Sequence, residues 1–263
     1  MVAGRSAGDD RELALDRLAE ADLDGGHDGH PRGTGISGPG PGRPAPSALH
    51  RPSRAWLGRV AVLAALVVAV VAVLYAGHTQ PGTVDRWFVD PTDDSVGQPW
   101  RRVALALDFF GEPVGSVALV AALMAGCLLL RRPRSAALLA AGTVVSVGTT
   151  TLLKQVVGRT IHGPGNLSYP SGHTAFATAL AVALALLVAG LLRLGRTAGL
   201  VLVLGVALVG GAAMGWAQVA LGAHYPTDVL GGWCTALAVV PATGWLVDRT
   251  AGRMSGAGLP VRR

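Results

Sequence analysis

Six apolar stretches follow Trp56 in this 263-residue chain, at about 57–76, 114–130, 135–153, 174–192, 198–217 and 228–246. Each is close to the ~20 helical residues that cross ~30 Å of hydrocarbon. A segment in that setting must satisfy its backbone polar groups internally, which favours helices. The spacing therefore predicts an all-α fold, a six-transmembrane-helix bundle over residues 56–248. Charge is correspondingly scarce, 14% of residues against roughly a quarter in an ordinary soluble domain. A freely soluble enzyme is excluded.

The distribution of arginine adds an orientation. Arg51, Arg54 and Arg59 precede or open segment one, Arg131, Arg132 and Arg134 separate segments two and three, and Arg193 and Arg196 separate four and five. Arg249, Arg253, Arg262 and Arg263 follow segment six. An even number of crossings puts all of them on one side, so the positive-inside rule predicts cytoplasmic termini in a plasma-membrane protein. The excess of base is topological. No basic stripe interleaved with aromatics is present, so no nucleic-acid partner is expected.

Residues 1–55 hold seven Arg and eight acids but almost no large apolar side chains after Leu23. Such a stretch cannot bury enough surface to offset its chain entropy. It is expected to be a disordered cytoplasmic tail, with 249–263 as a short second tail and Asp10 to Leu23 able to form a solvated helix. The first apolar run lies too far along the chain to be a signal peptide. Cys127 and Cys234 sit within apolar runs and read as small buried thiols. Gly211 and Gly215 read as a place for close helix approach.

The opposite, extracytoplasmic face receives the connections 77–113, 154–173 and 218–227. The first carries Trp87, Phe88, Trp100, Phe109 and Phe110, which suits an interfacial amphipathic segment. No acidic residue occurs between Glu112 and Asp228, so no carboxylate-built metal site is expected in the membrane core. Imidazole and basic chemistry remains. Lys154, the only lysine, and Arg159 follow segment three; Pro170, Ser171, Gly172 and His173 lead into segment four; His224 and Asp228 flank the start of segment six.

These three clusters share one face and together fit a phosphate. Ser171 can cap segment four, and Gly172 opens its first-turn amides, where the helix dipole favours an anion. Lys154 and Arg159 supply positive charge, the arginine with a fork matched to phosphate oxygens. Asp228 can accept the Nδ1 proton of His224 and leave Nε2 as a nucleophile. His173 can protonate a leaving oxygen. His27, His30, His50 and His78 read as structural.

Tyr169-Pro170-Ser171-Gly172-His173-Thr174 and Leu221-Gly222-Ala223-His224-Tyr225-Pro226-Thr227-Asp228 resemble motifs of the type 2 phosphatidic acid phosphatase superfamily, whose helical core is shared with the vanadium haloperoxidases. The resemblance covers about residues 56–246. Two departures stand out. The arginine of the family's Arg-Pro pair falls on Ile161, followed by His162, and the family's Ser-Arg pair falls on Ala217-Gln218.

The resemblance implies hydrolysis of a lipid phosphate, or of a polyprenyl phosphate or diphosphate such as undecaprenyl diphosphate, through a phosphohistidine on His224. Asp228 orients that ring, and His173 serves as general acid and then base. Lys154, Arg159, Ser171 and Gly172 hold the phosphoryl oxygens, with Gln218 and His162 as helpers. No metal and no cofactor is implied; the partners are the substrate lipid and the bilayer. The substitutions at Ile161 and Gln218 keep open an alternative, a weakened member that binds or transports lipid phosphates. A vanadate-using haloperoxidase is disfavoured because those enzymes are soluble.

Overall fold

The computed structural model describes residues 46–93 and 96–257, within a compact unit Pro44–Arg263. The expected tail up to residue 45, its candidate helix, His27, His30 and residues 258–263 lie outside the described residues. Among the described residues the architecture is helical: a 3-10 turn Arg51–Ser53, then α1 Arg54–Tyr75, α2 Thr83–Asp93, α3 Gln98–Gly111 and α4 Pro113–Leu129. These are followed by α5 Pro133–Val157, α6 Gly172–Leu191, α7 Arg196–Ala220 and α8 Pro226–Ala257.

Local chemistry sets these boundaries. Prolines open α4, α5 and α8, where a missing N–H costs nothing and φ is already helical. Gly158 ends α5 in the left-handed region at φ 64° and returns its N–H to the Lys154 carbonyl. The Ser171 hydroxyl accepts from the Thr174 amide at the start of α6. The helices overrun the apolar windows read from sequence, α5 continuing through Lys154 to Val157, α7 through Gln218 to Ala220, and α8 starting at Pro226.

The protein is a multi-pass membrane protein. Helices α1, α5, α6, α7 and α8 are each long and apolar enough to cross a bilayer; α3 and α4, bent by 68° at Glu112, make a sixth when taken as one broken span. Central α6 packs on α5, α7 and α8. It is apolar all round because most of its surface meets protein; Ala175, Ala179, Val182 and Leu186 are buried. Peripheral helices instead turn large apolar side chains outward: Val62, Leu66 and Val70 of α1, Val114 and Val117 of α4, Val201 and Val209 of α7. Such an inside-out surface is stable only with lipid as solvent.

Small residues let α8 approach its neighbours. A Cβ on Gly211 would fall 2.2 Å from Trp233, and one on Gly215 would fall 2.3 Å from Val229, in line with the close approach expected there. Gly231 and Gly232 do the same for the connection before α6, where a Cβ would meet the Tyr169 ring at 2.4 Å and the Ser171 carbonyl at 2.3 Å. This contact holds the α6 entrance against the start of α8.

Three expectations need correction. The last part of the expected tail is packed: Ala48, Leu49 and His50 are buried, and the Ala48 and Leu49 amides donate to the Asp248 carboxylate at 2.7 and 3.1 Å. His50 has the structural role expected, its ring bonded to Ser53 Oγ and the Leu194 carbonyl. The connection 77–113 is not a single interfacial segment, since it holds both α2 and α3. The expected second tail is helical through Ala257, as nothing between Thr250 and that residue breaks α8.

Candidate active site

The C-terminal ends of α5 and α7 and the N-terminal ends of α6 and α8 meet at one end of the bundle, with α2 and α3 joining them. Here lie all the candidate residues, brought together from 154 to 228 as expected. His224 is buried in the turn between α7 and α8. Its Nδ1 lies 3.7 Å from Asp228 Oδ2, an electrostatic contact one step longer than a hydrogen bond. Burial holds the His224 pKa below its ordinary value; Lys154 and His173 push the same way, and Asp228 opposes them. A neutral imidazole at neutral pH follows.

Asp228 is fully buried and fixed from several directions. Oδ2 accepts from the Tyr225 amide at 3.0 Å, Oδ1 accepts from Arg159 at 2.6 Å, and its backbone carbonyl receives the Ser171 amide at 2.9 Å. Arg159 therefore departs from expectation. It has no exposed surface, and its two terminal nitrogens also reach Thr227 Oγ1 and Asp85 Oδ2, each at 2.6 Å. Its guanidinium lies 4.3 and 4.7 Å from the ring centroids of Tyr75 and Tyr225. A buried cation needs paired anions, and both terminal nitrogens of this arginine are spent on Asp85, Thr227 and Asp228, with only Nε left without a partner.

Asp85 completes that network. Wholly buried, it accepts from the Thr227 amide and hydroxyl at 3.0 and 2.8 Å and from the Gly82 amide at 3.0 Å. Asp85 belongs to the connection 77–113 and was not among the expected site residues. The signal available was indirect: an arginine in a stretch without acids must find its carboxylate elsewhere if it is buried.

His173, in the first turn of α6, faces α3. A Cβ on Gly111 would sit 2.1 Å from His173 Cδ2, so the absence of a side chain there seats the ring. His173 Nε2 lies 3.5 Å from both Asp108 Oδ1 and Glu112 Oε1. Neither acid was anticipated. Both fall just outside the acid-free stretch on which the expectation of no metal rested. The three groups lie within 4.8 Å of one another and form a carboxylate–imidazole set of the kind that can hold a divalent cation.

Gln218, expected to donate to the phosphate, is buried and gives its amide to Asp108 at 2.7 Å. His162 adopts φ 58° and bonds through Nε2 to the Gly222 carbonyl at 2.7 Å, tying two connections together. Ile161, where the family carries arginine, is buried, with its amide on the Asn166 carbonyl. The phosphate-side inventory thus reduces to Lys154, half-buried and without an ion pair among the described residues, and the Ser171–Gly172 turn. Ser171 is buried and its hydroxyl oxygen accepts from the Thr174 amide and hydroxyl, while its own amide donates to the Asp228 carbonyl, which leaves its O–H proton and the amides that follow it to meet an anion.

Residues 132–250 match the family model described as the PAP2 superfamily. The fold is similar to the crystal structure of the first transmembrane PAP2 type phosphatidylglycerolphosphate phosphatase from Bacillus subtilis, with a TM-score of 0.53 and 20% sequence identity. That match covers 77% of this chain and 98% of the other. No curated protein matches the sequence.

Proposed function

With the PAP2 superfamily pattern running through residues 132–250 as premise, we propose that the protein is a membrane phosphatase that hydrolyses a lipid phosphate monoester or polyprenyl diphosphate. The observation that carries this reading is the His224–Asp228 contact of 3.7 Å, with the carboxylate locked by Arg159 and neutral His224 at the same end as His173. His224 Nε2 attacks phosphorus, and the bond from phosphorus to the leaving oxygen breaks as His173 delivers its proton there. Water then attacks the phosphohistidine, His173 takes the water's proton, the P–N bond breaks and inorganic phosphate leaves. Lys154 and the amides at the start of α6 hold the phosphoryl oxygens; Asp228 stabilises the His224 imidazolium.

The similar Bacillus subtilis protein is a phosphatidylglycerolphosphate phosphatase, and a substrate of that class keeps its acyl chains in the bilayer while the phosphate enters between the helices. The arginines at the other end favour cytoplasmic termini, an extracytoplasmic site and the plasma membrane. Purified protein should release phosphate from phosphatidic acid, phosphatidylglycerol phosphate or a polyprenyl diphosphate in the presence of chelator. His173→Ala should lower kcat by about 10²–10⁴-fold. Failure to turn over any of these, with binding retained, favours the second reading, a lipid-phosphate binder. That reading draws on Gln218 donating to Asp108 and on buried Ile161, which leave the phosphate short of guanidinium groups. A cysteine placed at Gly163 should be labelled from outside the cell; labelling from the cytoplasm alone overturns the topology.

A further inference from the structure

The end of the bundle remote from His224 holds a cavity of about 930 Å³ lined by Arg51, Arg54, Arg132, Arg134, Arg193 and Arg249. Its one carboxylate, Asp248, is already engaged by the Ala48 and Leu49 amides and lies 3.9 Å from Arg134. Among the described residues no ion pair is made by Arg51, Arg54, Arg132 or Arg193. A positive-inside signal requires only that basic residues lie near one membrane surface. It does not require them to converge on a hollow.

Gly190 helps to form the hollow. The Arg132 guanidinium lies 4.0 Å from where a Cβ on that residue would stand, an ordinary contact that lays the arginine against α6 at the rim. The segment before α1 closes one side, with Leu49 set against Gly244 and His50 against Gly199, where a Cβ would collide at 2.7 Å in each case. The cavity is therefore built by packed backbone. It is more than a gap between mobile arginines.

A second observation identifies the ligand. An apolar groove of about 320 Å³ between α1 and α8 shares Leu49, Arg54 and Trp245 with the cavity and continues along Gly58, Val62 and Pro241. Val62 is 64% exposed, on a surface that faces lipid. A concave cluster of guanidiniums opening onto a membrane-facing apolar channel matches an anionic headgroup with an attached acyl chain. We propose that this is a binding site for an anionic phospholipid, separate from the His224 site: its phosphate is held by the arginines and one acyl chain lies between α1 and α8. The proposal stands whether or not the protein is a phosphatase.

The test is native mass spectrometry of the full-length protein in detergent, titrated with phosphatidylglycerol, phosphatidylcholine or inorganic phosphate, in wild-type and His224→Ala backgrounds. Phosphatidylglycerol should bind preferentially over phosphatidylcholine in both backgrounds. Replacing Arg132 and Arg193 together by Gln should weaken it by roughly 30-fold, as expected for two guanidiniums near a headgroup. Removing the same charge outside the cavity, with Arg59→Gln and Arg253→Gln, should change it little. Val62→Trp should weaken lipid binding with every arginine intact, which covers the case in which the double variant fails to insert. Equal binding of the two lipids, equal loss in the control pair, or no effect of Val62→Trp overturns the proposal. Displacement of the lipid by millimolar inorganic phosphate alone assigns the cavity to a soluble phosphate compound and overturns the lipid assignment.

Discussion

The two ends of this bundle use the same side chain in opposite ways. At the His224 end, Arg159 has no exposed surface and is held between two carboxylates and two aromatic rings. At the other end, six arginines surround a hollow with one acid among them, and that acid is largely committed to backbone amides. One end uses its arginine to fix geometry and leaves a single lysine for a ligand. The other leaves most of its guanidiniums without an ion pair among the described residues. Charge count alone does not distinguish the two ends; what separates them is which guanidiniums already have partners.

That contrast is open to attack in order of expected size. His224→Ala should lower phosphate release by at least ~10³-fold, as loss of a covalent nucleophile does, and a smaller loss in phosphate-release assays would remove the residue from that role. Arg159→Ala leaves Asp85 and Asp228 buried without a counter-ion and should destabilise the protein by about 3–5 kcal/mol, read as an earlier thermal transition in detergent. Arg134→Gln at the opposite end breaks only a 3.9 Å pair whose carboxylate keeps the Ala48 and Leu49 amides, and should shift the same melt clearly less. Similar shifts for the two would erase the distinction.

Asp108→Asn should cost about tenfold in kcat/KM, the value of one charge-assisted hydrogen bond, if the acid only orients His173 and Gln218. Chelator should then leave wild-type activity unchanged. Loss of activity in chelator, restored by magnesium in wild type but not in the variant, would make Asp108, Glu112 and His173 a metal site. The smallest effect concerns pH. Because the His224 pKa lies below 6.5, its neutral form persists into acid, and the acid limb of kcat/KM should fall below that value. The stability linked to neutral His224 is present above 6.5 and declines as pH falls from there towards the lower native value.

Much of this was readable in the sequence. The apolar segments gave helices at the right places because length and hydropathy are local properties, and the Pro-Ser-Gly-His and His224–Asp228 spacings announced an entrance to α6 and a turn before α8. Gly211 and Gly215 were legible as contact positions for the same reason. The roles of Arg159, Gln218 and His162 were not, since each depends on a partner remote in sequence or on another connection: Asp85, Asp108 and the Gly222 carbonyl. Those two acids belong to helices α2 and α3 in the connection 77–113, whose return to the bundle end no spacing rule encodes. The inward turn of residues 46–50 was hidden likewise, because it rests on Asp248, two hundred residues away from Ala48.

The central claim is that His224 carries the phosphoryl group, and it can be examined directly. Protein mixed with labelled lipid phosphate and quenched in alkali within a turnover should yield an acid-labile phosphoramidate on the peptide that contains His224, absent from His224→Ala. Phosphate release in wild type with no label on that peptide, or a label that survives in His224→Ala, would contradict the account.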